Sequence, residues 1–185
     1  MNPDINNANY NLMIYRQAKP QDSEAILLLN HKYYQAFIDG DKDKGFLKNQ
    51  FNLEQIQALV LQNEVVVAVS EDNIIGYYRT NSIFETDVIK QRKTQVQELI
   101  KVGEIKNVRY VYQTQAVIDK PYMGNGVGKE LLKHLKRLVQ SKFDFLIGYI
   151  DSENKNAKVA HLKSGWTIFA DTESGWLAMS DVKNI

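Results

Sequence analysis

Apolar residues along the chain recur with two periods, and the switches between them predict the order of elements. Residues 13–18 read as a short strand. Pro20 then sets φ for a helix start, and Asp22 and Glu24 put negative charge in the first turn. Ile26, Leu29, Tyr33 and Phe37 continue at helical spacing, predicting a helix over 20–38. A run of alternating acids and lysines between Gly40 and Gly45 reads as a solvated loop. Asn52 and Gln55 have the spacing of a capping box, and Leu53, Ile56, Leu59 and Val60 form the stripe of a second helix. Strands at 65–69 and 74–80 flank Glu71-Asp72-Asn73 and read as a hairpin. Within 82–106, Val88, Ile89, Val96, Leu99 and Ile100 point to a helix with charges on its other side.

The second half is better marked. Val108, Tyr110, Tyr112, Thr114, Ala116 and Ile118 share one face of a long strand. Val127, Leu131, Leu132, Leu135, Leu138 and Val139 mark the buried stripe of a helix over 128–142, with Lys129, Lys133, Lys136 and Arg137 expected to face water. An apolar strand at 145–150 should lie parallel to 108–118, with that helix crossing between them. A helix over 157–164 is stopped by Gly165, and strands at 166–170 and 176–179 follow. Residues 1–11, polar and rich in asparagine, read as a loose tail before one domain over 12–185.

Between the long strand and its helix lies Tyr122-Met123-Gly124-Asn125-Gly126-Val127-Gly128-Lys129. Glycines at alternate positions let the backbone turn tightly and aim successive N–H groups at one point, and the helix that follows presents its positive end there. Strand, glycine loop and helix together predict a pyrophosphate seat. A P-loop would need Gly-x-x-x-x-Gly-Lys-Ser/Thr, but Glu130 follows Gly128-Lys129 and Met123 stands where the first glycine should be. A dinucleotide fingerprint would need Gly-x-Gly-x-x-Gly. Here the spacing is Gly-x-Gly-x-Gly, and too little chain follows to complete a doubly wound sheet.

Composition narrows the class. At 185 residues the chain suits one ordinary domain, and 44% hydrophobic with 24% charged residues is the balance of a soluble globular protein. A formal net charge of +1 supplies no field for nucleic acid or an anionic membrane. Cysteine is absent, which removes disulfides, thiolate nucleophiles and cysteine metal sites; no metal site is expected. With no apolar run near the ~20 residues of a membrane span and no secretory signal, the cytoplasm is the expected location.

The loop Met123 to Gly128 resembles the Arg/Gln-x-x-Gly-x-Gly/Ala motif of the GCN5-related N-acetyltransferases, the GNAT superfamily. Asn154-x-x-Ala157-x-x-x-His161-x-x-x-Gly165-Trp166 is similar to the family's second signature, and residues 14–20 resemble its first strand and helix entry. The resemblance covers about 13–180. It implies an α/β (α+β) acyl-CoA N-acyltransferase fold, with a central mixed, splayed sheet of about seven strands flanked by helices. It also implies an acyltransferase that moves the acetyl group of acetyl-CoA, as co-substrate, to a primary amine of a small molecule or peptide. The pyrophosphate would sit on Met123, Gly124, Asn125, Gly126, Val127, Gly128 and Lys129. Pantetheine would run along Ala116, Val117 and Ile118, and Asn154 and Ala157 would complete the cofactor site. Family members often join the strands around 82–106 by a short turn, so the insert here either selects substrate, forms a homodimer contact or is a solvated surface helix.

Two departures bear on the chemistry. Met123 replaces the usual Arg or Gln, and Lys129 or Lys120 would have to compensate. His161 replaces a tyrosine that, in the family, protonates the departing thiolate. Histidine could do so as imidazolium or through a water, or it could simply pack beside the cofactor. Tyr112 stands where some family members carry a glutamate base, and it could relay a proton. The strand itself carries no acid, and Glu85 and Glu104 are the nearest carboxylates in sequence. The alternative to an enzyme is a catalytically silent, CoA-binding regulatory domain on the same scaffold.

Overall fold

The computed structural model describes residues 13–40, 47, 50–84, 87–103 and 108–184. The tail expected at 1–11, most of the loop expected between Gly40 and Gly45, and both Glu85 and Glu104 lie outside the described residues. The elements are β1 (Ile14–Gln17), a 3-10 turn at Pro20–Asp22, α1 (Ser23–Ile38), α2 (Leu53–Leu61), β2 (Val65–Ser70), β3 (Asn73–Asn81) and α3 (Asp87–Lys101). There follow β4 (Tyr110–Ile118), a 3-10 turn at Lys120–Tyr122, α4 (Val127–Val139), β5 (Phe145–Asp151), α5 (Lys155–Lys163), β6 (Thr167–Thr172) and β7 (Gly175–Asp181). The strands form one mixed seven-stranded sheet in the order β1-β2-β3-β4-β5-β7-β6, and β4 pairs with β5 in parallel, as the sequence predicts. No helix among the described residues is long and apolar enough to cross a membrane.

Packing divides the chain into two compact units. The first holds the chain up to Arg79 together with Gln115–Leu138. Here β1, β2 and β3 form an antiparallel meander, and β2 and β3 meet at a two-residue turn, Glu71 (φ 48°) and Asp72 (φ 63°). Positive φ at both positions gives the turn a twist that matches the strands. Every residue of β2 is buried, because both faces of this part of the sheet are covered. On one side α1 and α2 supply Ile26, Leu29, Ile56, Leu59 and Val60, and on the other α4 supplies Val127, Leu131 and Leu135. The capping box at α2 is present, with Gln55 N donating to Asn52 Oδ1 (2.9 Å) and Asn52 N to Gln55 Oε1 (3.0 Å). One expectation fails: Lys136 does not face water but is only 4% exposed. Its four-carbon stem can lie along apolar surface, which the helical spacing of charges does not reveal.

The second unit comprises Thr80–Thr114 and Val139–Ile185. Strand β7 pairs antiparallel with both β5 and β6. The helix in the insert, α3, is not wholly solvated: Val96 is fully buried against Tyr112, Ile147 and Leu177, with Ile89, Leu99 and Ile100 packed around them. α5 begins two residues earlier than expected because Asn154 caps it, its side-chain oxygen accepting from Ala157 N at 3.0 Å. Strand β7, held between β5 and β6, leaves no room for a side chain at its start. A Cβ on Gly175 would lie 2.1 Å from the Ile150 carbonyl oxygen. Gly175→Ala is therefore expected to lower stability by about 2 kcal/mol or more, since backbone and not a flexible side chain must move. Chemical denaturation checks this, and a loss under about 0.5 kcal/mol would contradict the close approach.

Candidate functional site

The residues the sequence picks out fall in both units. In the first, β4 ends at Ile118 and the chain makes a 3-10 turn before the glycine loop. Gly124 and Gly126 both take φ of +80°, a conformation that side chains with a Cβ disfavour, and a Cβ at either would meet open space. Backbone conformation, not crowding, requires glycine there. Gly128 is glycine for a different reason: a Cβ would lie 3.0 Å from Ile118 Cδ1 and 3.5 Å from the Tyr78 hydroxyl. Its absence lets the start of α4 settle on β4 and β3. The first helical N–H to reach a carbonyl is that of Glu130, which donates to Gly126 O at 3.2 Å. The amides of Val127, Gly128 and Lys129 therefore have no intrahelical acceptor and stand at the positive end of the helix. Gly124, Asn125, Gly126 and Lys129 are exposed, as is Met123, while Val127 is buried beneath them. Asn125 Nδ2 donates to Met123 O (3.3 Å), bracing the turn.

The strand that delivers this loop is held by polar contacts that the sequence pattern does not announce. Asp119 accepts from Lys32 Nζ (2.5 Å) and from the Tyr33 hydroxyl (2.9 Å), while Lys120 N donates to the Tyr33 oxygen (2.6 Å). Asp119 N donates to Ile75 O (2.7 Å). Four residues back, Gln115 Oε1 accepts from the Tyr77 hydroxyl (3.0 Å), Arg79 Nε (3.1 Å) and Asn30 Nδ2 (3.3 Å), all buried. Burial pulls the Arg79 guanidinium down to about 10, against the raising effects of Tyr77 and Glu64. Its guanidinium carbon lies 3.9 Å from the centre of the Phe51 ring. Of the three residues assigned to pantetheine, Ala116 is exposed, Val117 is buried and Ile118 is half-buried.

In the second unit Tyr112 is buried in the core of β4 with its hydroxyl unpartnered. Burial, and then the neighbouring Tyr110, push its phenol far above the ordinary value. It can donate a hydrogen bond but is a poor proton acceptor. The Asn154 oxygen is committed to capping α5, and Ala157 is half-buried. His161 Nδ1 lies 2.7 Å from Ala157 O, one turn earlier, and its ring meets Trp166 edge to face at 5.0 Å. A carbonyl only accepts, so Nδ1 carries the proton and the neutral ring keeps its lone pair on Nε2. Burial lowers the His161 pKa, with the bond to Ala157 opposing it. The ring is thus held in its neutral form. The other two histidines are engaged locally: His31 Nε2 with Phe51 O (3.0 Å), and His134 Nδ1 with Glu130 O (2.9 Å). Arg92 of α3, absent from the motifs, sits with its guanidinium carbon 3.0 Å from the centre of the Tyr149 ring. Only the charged side of an amphipathic helix pointed to it.

Compared with family models and with curated proteins, the sequence matches none. Solved structures do match over almost the whole chain. A GNAT-family acetyltransferase from Listeria monocytogenes is 14% identical with a TM-score of 0.68, covering 95% of this chain and 98% of its own. The PaiA N-acetyltransferase of Thermoplasma acidophilum, in complex with coenzyme A, is 11% identical with a TM-score of 0.65, covering 92% and 99%. The YncA structure from Salmonella typhimurium, with its cofactor acetyl-CoA, is 15% identical with a TM-score of 0.63, covering 92% and 94%. The chain has the fold of the GNAT acetyltransferases.

Proposed function

We propose that the protein is an N-acetyltransferase that moves the acetyl group of acetyl-CoA to a primary amine. The observation that carries this reading is the loop after β4. Two glycines in the left-handed region, followed by helix amides without intrahelical acceptors, make a seat for a diphosphate whose contacts are main-chain groups. Solved structures of the same fold that hold coenzyme A or acetyl-CoA support the identity of that diphosphate. Because backbone N–H groups form the seat, Met123 in place of an arginine or glutamine removes at most one side-chain contact, and exposed Lys129 offers a compensating charge. In the same reading, the end of β4 at Ala116 to Ile118 holds pantetheine through its main chain, like an added strand.

Acetyl transfer requires the amine nitrogen to be neutral when it attacks the thioester carbonyl. The C–N bond forms, the C–S bond breaks, the nitrogen loses a proton and the sulfur gains one. His161, with Nε2 free to accept, takes the proton from nitrogen in this scheme. Tyr112, held protonated, contributes a hydrogen bond and not a base. A second reading, a silent CoA-binding domain, draws on the lack of any acid on β4.

Replacing Gly126 by valine forces the backbone out of the left-handed region and should abolish coenzyme A binding in calorimetry while the circular dichroism spectrum is retained. Unchanged affinity would overturn the seat. Free thiol release from acetyl-CoA with a panel of primary amines separates the enzyme from the silent domain, which would release none. His161→Ala is expected to lower turnover by about 10²–10⁴-fold at saturating cofactor. By NMR the His161 ring should titrate below the ~6.5 of free imidazole, because burial disfavours the cation. The sign for stability follows: the unfolded chain binds that proton first, so stability falls as pH drops from about 6.5 towards the folded value. A midpoint at or above the free value, or an effect of His161→Ala below about threefold on turnover, would leave the ring a packing residue.

A further inference from the structure

Three buried side-chain atoms in the second unit have no hydrogen-bond partner and lie in one patch: Arg92 Nη1, Tyr112 Oη and Thr114 Oγ1. Strand register explains how they come together. Tyr112 stands opposite Ile147 in the parallel ladder, which ends at Gln113 and Gly148. Continued by one pair, the same register brings Thr114 level with Tyr149, so Tyr112, Thr114 and Tyr149 share one face. Helix α3 covers that face, and its Arg92 sits over the Tyr149 ring. The Tyr149 hydroxyl is already engaged with Ser174 Oγ at 2.6 Å, which fixes the ring as a platform. Burial pulls the Arg92 guanidinium below its ordinary value, and Tyr149, Tyr112 and Asp151 oppose this only in part. Asp151 is the acid in reach, and its Oδ1 also accepts from Glu153 N at 3.0 Å.

A cation and two hydroxyls, each with a donor unanswered, present what a carboxylate accepts. A guanidinium fork held over an aromatic ring is well disposed for it. Buried polar atoms are rarely left unpaired, and three in one patch point to a ligand. We propose that Arg92, Tyr112 and Thr114 bind the carboxylate of the acceptor, so that the amine acetylated is a carboxylate-bearing one of the amino-acid class. This rests on the acetyltransferase reading for the word acceptor, but not for the binding of a carboxylate. On this proposal α3 serves to select the substrate.

The test uses the full chain and two matched panels: N-acetyl α-amino acids and the corresponding N-acetyl amino-acid amides, with binding followed by calorimetry or NMR. At least one acid should bind about tenfold or more tightly than its own amide. That preference should be lost in Arg92→Met and reduced in Tyr112→Phe, which keeps the ring and its packing. Arg92→Lys, which keeps the charge but not the fork, should retain only part of it. Circular dichroism shows whether each variant is folded, and Tyr112→Phe decides the matter if Arg92→Met is not. Amides that bind as well as acids, acids that fail to bind at all, or a preference that survives in the folded variants would overturn the proposal. A preference for acids in a protein that releases no thiol with any amine would sink the acetyltransferase reading and leave the carboxylate site standing.

Discussion

Everything proposed for the first unit depends on a backbone conformation that only glycine adopts readily. At Gly124 and Gly126 the chain passes through φ of +80°, and a Cβ there would be strained even though it would touch nothing. Those two residues lead the chain from β4 into α4, whose first amides have no intrahelical acceptor. A third glycine answers a different demand, the closeness of α4 to Ile118 and Tyr78. A phosphate seat made this way needs no particular side chain, which is why the methionine at 123 does not weaken the case. On the proposed reading, affinity and helix geometry come from the same residues.

A seat of main-chain groups is only as well placed as the strand that carries it. β4 is fixed at two points by polar contacts across long sequence distances. Gln115 draws donors from α1 and β3 onto one buried oxygen, and Asp119 joins Lys32 and Tyr33 of α1 to the start of the loop. Hydrogen bonds of this kind are expensive to leave half made, so they specify one register for the strand. The exposed main chain at Ala116 lies between the two anchors. Positioning by buried polar groups, with the main chain left for the cofactor in the proposed reading, is the common design of this region.

Much of this was legible in the sequence, where local rules govern. The capping box at Asn52, the hairpin at Glu71 and Asp72, the parallel pairing of the strands around Tyr112 and Ile147, and the loop glycines follow from spacing alone. The misses have a single physical origin: a polar side chain's environment is set by what packs against it, which periodicity does not encode. Lys136 sits at a polar helical position and is buried all the same. Arg92 sits among the charges of α3 yet lies on Tyr149. His161 could be placed by its motif, but the proton on Nδ1 depends on a carbonyl 2.7 Å away. Gln115 gave no sign of being a buried hub, because its spacing on the strand is that of any inward residue.

The central claim is that coenzyme A is held by the backbone of the loop after β4. A crystal structure of the complex with coenzyme A tests it most directly. The account predicts diphosphate oxygens within about 2.7–3.2 Å of amide nitrogens among Gly126, Val127, Gly128 and Lys129, with pantetheine following Ala116 to Ile118. Coenzyme A bound elsewhere, or held only by side chains with those amides facing solvent, would contradict it.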